Sequence, residues 1–115
     1  MKTNGLVTTF IDNERIPWES VDAGVQRKVM AYDDNIMLVK VKFDQGGIGP
    51  VHYHPHAQIT HVESGVFEIE IDGKKRILKG GDAYYIPSNV AHGAVCLEDG
   101  VLIDVFSPMR EDFIK

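Results

Sequence analysis

Residues 46–65 read Gly46-Gly47-Ile48-Gly49-Pro50-Val51-His52-Tyr53-His54-Pro55-His56-Ala57-Gln58-Ile59-Thr60-His61-Val62-Glu63-Ser64-Gly65. Glycines at both ends and prolines inside break any helical period, leaving short β-prone pieces at 52–54 and 58–63 joined by a turn. Outward from this stretch, a strand expected over Val66-Phe67-Glu68-Ile69-Glu70-Ile71 stops at Asp72-Gly73. That pair suits a two-residue type I′ hairpin loop, which would set Glu70 opposite Lys75. No segment sustains the i, i+3, i+4, i+7 apolar pattern of a helix. Further strands are expected at 25–31, 36–43, 76–78, 83–86, 93–97 and 101–106. So many short strands exceed one flat sheet, and an all-β sandwich or barrel of the jelly-roll kind is the expected fold.

The chain has 115 residues, the size of one domain. The expected divisions are an N-terminal arm or edge strand over 1–24, holding Pro17 and Trp18, a barrel over 25–108 and a tail over 109–115. A hydrophobic share of 43% with 25% charged residues excludes the composition of a disordered chain. Twelve Lys and Arg against seventeen Asp and Glu leave a net charge of −5. With no basic stripe to follow a phosphate backbone, nucleic acid is not an expected partner. Lys74-Lys75-Arg76 with Lys79 follows the Asp-Gly turn and reads as a solvated hairpin tip. Cys96 is the only cysteine, so no intrachain disulfide can form and a reducing compartment is expected. No apolar run approaches the ~18 residues of a membrane span, and the expectation is a soluble cytoplasmic protein without membrane contact.

In a strand, His52 and His54 would project to one face roughly 6–7 Å apart, within reach of one ion. Taken alone, such a pair is weak evidence, because surface or core histidines account for most cases. Gln58 follows four positions later and His92 far downstream. The spacing Gly46, five residues, His52, one residue, His54, three residues, Gln58, six residues, Gly65 resembles the first motif of the cupin superfamily. Gly81, five residues, Pro87, four residues, His92 resembles the second. The second motif departs from the usual pattern at Asn89, where glycine is usual, and at Cys96, where asparagine is usual. In the first, Gln58 replaces the usual glutamate. The resemblance implies a single-domain cupin, a double-stranded β-helix barrel, with His52, His54, Gln58 and His92 as ligands of one divalent metal. Three imidazoles and an amide oxygen suit Ni, Zn, Mn, Fe or Co. With no charged ligand, such a site keeps the full charge of the ion and should attract an anionic substrate. His56 is expected to support the site or lie at the surface, and His61, of opposite parity to Gln58, to face away.

Asp104 lies in the otherwise apolar run Val101-Leu102-Ile103-Asp104-Val105-Phe106. A carboxylate there is costly to bury unless it is paired, hydrogen-bonded or near a cation. Glu98-Asp99-Gly100 can form a two-residue turn or a three-residue loop with Gly100 in the left-handed region. The three-residue loop would set Ala94 opposite Asp104 and His92 opposite Phe106, bringing both onto the face of His92, and is preferred because it gives the carboxylate a cation. The alternatives are a buried partner of Arg110 or a tyrosine for Asp104, core packing for Phe106, and a surface salt bridge to Glu111 or Asp112 for Arg110. One of Tyr84 and Tyr85 should face inward.

The terminal run Asp104-Val105-Phe106-Ser107-Pro108-Met109-Arg110-Glu111-Asp112-Phe113, together with residues 52–58, is similar to the KdgF-type pectin-degradation cupins. That resemblance implies a metal-dependent, non-redox opening of 4,5-unsaturated uronate monosaccharides to open-chain 5-keto-4-deoxyuronates. Asp104 and Arg110 would be catalytic, with Phe106 and Arg110 binding the sugar. A cupin-type metal dioxygenase or isomerase, or a non-catalytic sugar- or anion-binding cupin, remains an alternative. A homodimer is expected, because the N-terminal arm has few other places to bury its apolar residues.

Overall fold

A computed structural model describes residues 9–114; residues 1–8 of the expected arm and Lys115 lie outside the described residues. Among the described residues there are eight strands: β1 (Glu19–Asp22), β2 (Val25–Tyr32), β3 (Met37–Phe43), β4 (Ile48–His52), β5 (Ala57–Ile71), β6 (Lys74–Lys79), β7 (Ala83–Ile86) and β8 (His92–Ser107). Among the described residues the only helical turns are 3-10 turns at Asn13–Arg15 and Glu111–Phe113. The strands run in the order β1-β2-β3-β8-β5-β6, with β4 added on β8 and β7 on β5, every pairing antiparallel. This is the jelly-roll barrel expected from the run of short strands, with β1 at an edge.

Two long strands organise it. The expected strands at 58–63 and 66–71 are one strand, β5, and those at 93–97 and 101–106 are likewise one, β8. The hairpin expected at Glu98-Asp99-Gly100 therefore does not exist, and neither Ala94 with Asp104 nor His92 with Phe106 is a cross-strand pair. Instead, the first half of β8 pairs with β4 and with the second half of β5, while its second half pairs with β3 and the first half of β5. Both strands thus pass from one layer to the other where they cross. The reason is steric: a Cβ on Gly65 would lie 2.5 Å from the Gly100 Cα, and one on Gly100 would collide with the Ser64 carbonyl. Gly65 also has φ +85°, which bends β5 where its register with β8 shifts. Asp-Gly punctuation at 99–100 therefore serves a close crossing, whereas at Asp72-Gly73 it serves a turn. There both residues have positive φ, and Glu70 pairs with Lys75.

The alternation of β5 and β8 fills the barrel with Val62, Phe67, Ile69, Cys96 and Leu102, joined by Val25 and Phe43. Cys96 thus packs in the core at the position where the superfamily usually has asparagine. A second cluster of Tyr32, Met37, Val39 and Phe106 closes the neighbouring end. Asn89, at the usual glycine position, has φ +63°, a conformation that asparagine tolerates better than most residues.

Candidate metal centre and active site

The continuity of β8 keeps His92, Asp104 and Phe106 on one inward parity without any turn. Asp104 lies opposite Thr60 of β5, which lies opposite Tyr84 of β7; two residues along on the same face, Phe106 faces Gln58, which faces Ile86. His52 ends β4 directly across from His92. His54 lies beyond β4, so the expected single strand carrying both histidines is replaced by a strand end and a loop. The loop still brings the rings together, at centroid distances of 5.5 Å for His52 and His54, 4.6 Å for His52 and His92, and 4.8 Å for His54 and His92. One ligand atom from each of the three lies within 4.8 Å of the others.

Backbone carbonyls set the imidazole tautomers. Nδ1 of His52 lies 2.8 Å from the Pro50 oxygen, that of His54 3.0 Å from the His56 oxygen, and that of His92 2.9 Å from the Val90 oxygen. A carbonyl can only accept, so each Nδ1 carries a hydrogen, and in the neutral ring Nε2 is the nitrogen with the lone pair. Burial, with the Arg110 charge adding to it, pushes the His54 pKa down to about 4, and burial lowers that of His92. Yet His54 Nε2 lies 3.2 Å from the Gln58 Oε1. With His54 neutral, two acceptors face each other, an arrangement that a cation between them would satisfy. The donor set thus fits a divalent transition metal.

Asp104 is buried beside this cluster, accepting from Thr60 Oγ1 at 2.6 Å and from Gln58 Nε2 at 3.3 Å. Burial raises its pKa to about 6, against the opposing effects of the Thr60 hydrogen bond and the Arg110 charge. Tyr84 is the inward tyrosine, its hydroxyl pKa raised by burial and then by Asp104, while Tyr85 is exposed. Arg110 is buried, stacked 4.3 Å from the Phe113 ring centre and 5.1 Å from that of Phe106, and its Nε and Nη2 donate to Asp112 at 3.1 and 2.9 Å. The expected surface partner is therefore real, but the guanidinium itself faces the site. A cavity of about 300 Å³ is lined by His52, His92, Gln58, Asp104, Phe106 and Arg110. That volume suits one small ligand.

His61 is exposed, as its parity predicts. His56 is buried, its carbonyl holding His54 and its Nε2 3.8 Å from Glu111. Sequence reasoning missed two residues. Thr60 carried no signal beyond sharing the parity of Gln58. Arg27 lines the same cavity and stacks 4.0 Å from Phe113; it lies in β2, far from every motif.

The cupin domain family matches residues 39–106. The chain belongs to the cupin family. Within that family it is 51% identical over 107 residues to the pectin degradation protein KdgF of Dickeya dadantii (strain 3937), covering 91% of this chain and 96% of that protein. The structure of KdgF from Halomonas sp. superposes with a TM-score of 0.89 at 45% identity, over 93% of this cupin and 99% of that chain. An RmlC-like cupin from Shewanella frigidimarina gives a TM-score of 0.91 at 39% identity, over 98% and 99%.

Proposed function

We propose that this cupin opens the ring of 4,5-unsaturated uronate monosaccharides, giving open-chain 5-keto-4-deoxyuronates in the breakdown of pectin. The observation that carries this reading is a buried carboxylate, Asp104, sharing one small cavity with Arg110 and with His52 and His92 of the three-histidine cluster. Similarity to two KdgF proteins supports it. The substrate is a cyclic hemiacetal whose ring oxygen is attached to an alkene conjugated with a carboxylate. Opening it needs one proton moved and no redox partner.

Asp104 accepts the proton of the anomeric hydroxyl as the carbon-oxygen double bond forms at C1 and the bond from C1 to the ring oxygen breaks. The electron pair of that bond passes to the ring oxygen, which becomes an enolate. Asp104 then returns the proton to C4, leaving a ketone at C5, so the product is an isomer of the substrate. His52, His54, Gln58 and His92 would hold a divalent metal, which when bound would supply positive charge near the ring oxygen. Arg110 orients the substrate carboxylate, which meets Nη1 or competes with Asp112 for the rest of the fork. Phe106 packs on the sugar ring.

The test is loss of the conjugated-alkene absorbance when purified protein meets unsaturated galacturonate, with oxygen monitored in parallel. The expected outcome is rapid loss without oxygen uptake. Asp104→Asn should lower kcat by roughly 10²–10⁴-fold with metal retained, while Arg110→Ala should weaken binding by about 1.5–3 kcal/mol. Oxygen consumption, or binding without turnover in the wild type, would overturn the reading.

A further inference from the structure

We propose that Thr60 is a positioning residue that locks the Gln58 amide with its oxygen toward the histidines, and that Gln58 is glutamine because Asp104 lies on its other side. The proposal rests on the ligand role of Gln58 stated above. The three side chains form one short chain of hydrogen bonds. Gln58 Nε2 donates to Thr60 Oγ1 at 2.8 Å, and Thr60 Oγ1 donates to Asp104 Oδ1 at 2.6 Å. Nε2 also lies 3.3 Å from the same Asp104 oxygen. Thr60 is fully buried, Gln58 is 6% and Asp104 8% exposed.

Donor counting fixes the direction of this chain. Thr60 has one hydroxyl hydrogen, and Asp104 takes it. If the Gln58 amide were turned over, its oxygen would face Asp104 Oδ1 and a hydroxyl with no hydrogen left to give. Within this chain the observed orientation is the one that gives Thr60 and Asp104 donors rather than a third acceptor, and it directs Oε1 to His54 Nε2, an acceptor that only a cation between the two would satisfy. A glutamate at 58 would present the same conflict in either orientation, because both its oxygens accept. The neutral ligand is thus the counterpart of the carboxylate at 104, and Thr60 couples the two. The register explains why the coupling falls on this residue: Thr60 is two positions from Gln58 on the same face and directly opposite Asp104.

Co²⁺ binding to the metal-depleted protein, read by titration and by visible absorption, tests this without a substrate. Thr60→Val, which keeps the shape and removes the hydroxyl, should bind Co²⁺ about 10-fold or more weakly and shift the absorption. Thr60→Ser, which restores the hydroxyl, should return both toward the wild type. Gln58→Glu combined with Asp104→Asn reverses the donor direction, the new amide giving to Thr60 and Thr60 to the new carboxylate. That double variant should bind Co²⁺ about 10-fold more tightly than Gln58→Glu alone. Folded Thr60→Val with unchanged affinity and absorption would overturn the proposal, as would Thr60→Ser as weak as Thr60→Val. Should Thr60→Val not fold, a double variant no better than Gln58→Glu decides against it. Gln58→Ala separates the two levels: unchanged Co²⁺ affinity there refutes the ligation itself, whereas weakening there with none in Thr60→Val refutes only the positioning role.

Discussion

Each histidine of the cluster is held by a backbone carbonyl through Nδ1, and each therefore arrives with Nε2 bare. Neither remaining histidine belongs to the cluster: His61 faces out, and the His56 ring turns its Nε2 toward Glu111. His52→Ala or His54→Ala should accordingly abolish stoichiometric metal binding while leaving the barrel folded. Elemental analysis of the purified variants checks this, and one full equivalent of metal in both would refute the assignment. Phe106 serves two ends at this scale, since it packs with Met37 and Val39 while standing edge-on to His54 with ring centres 5.8 Å apart. Core packing and site lining are one role for that side chain.

At the scale of elements, β5 and β8 do the positioning. Their registers place Gln58 and Thr60 beside Phe106 and Asp104, and this depends on a close crossing at Gly65 and Gly100. Gly100→Ala puts a methyl group against the Ser64 carbonyl and 2.8 Å from the Gly65 Cα, both backbone and unable to step aside. We expect a loss of about 1–3 kcal/mol or more from overpacking, visible as a lower Tm. Gly73→Ala meets no neighbour within 4 Å and loses only the ease of its positive φ, so its cost should be the smaller. Thermal unfolding of the two variants side by side measures the difference.

For the whole molecule, none of the described helical turns is long and apolar enough to cross a membrane. The barrel leaves an apolar row on its outer surface. Tyr85, Ile59, Val105 and Leu38 lie side by side across β7, β5, β8 and β3, with Tyr85 and Ile59 more than half exposed. A second copy covering such a row, together with the arm, is the expected arrangement. Light scattering at micromolar concentration should give about twice 12.8 kDa, and a monomer would refute the dimer. Chelating the metal should also lower the Tm, because an ion that binds only the folded chain stabilises it by mass action.

The all-β class, the type I′ turn at Asp72-Gly73 and the outward face of His61 were legible in the sequence because each depends on residues close together along the chain. The cupin motif spacings were legible too, since they count positions along one chain. Whether 98–100 turns or runs straight was not, because Asp-Gly serves a hairpin and a close strand crossing equally well, and the choice is made by Ser64 and Gly65, more than thirty residues away. The shared face of His92, Asp104 and Phe106 was expected for the wrong reason: an odd-numbered loop and an unbroken strand give the same parity. The stacking of Arg27 on Phe113 came from the tail beyond β8 reaching β2, whereas Tyr84 over Tyr85 and Thr60 between Gln58 and Asp104 came from registers between strands. Those registers follow from how side chains of distant segments pack and satisfy one another's hydrogen bonds, and a linear pattern of residues carries no record of that.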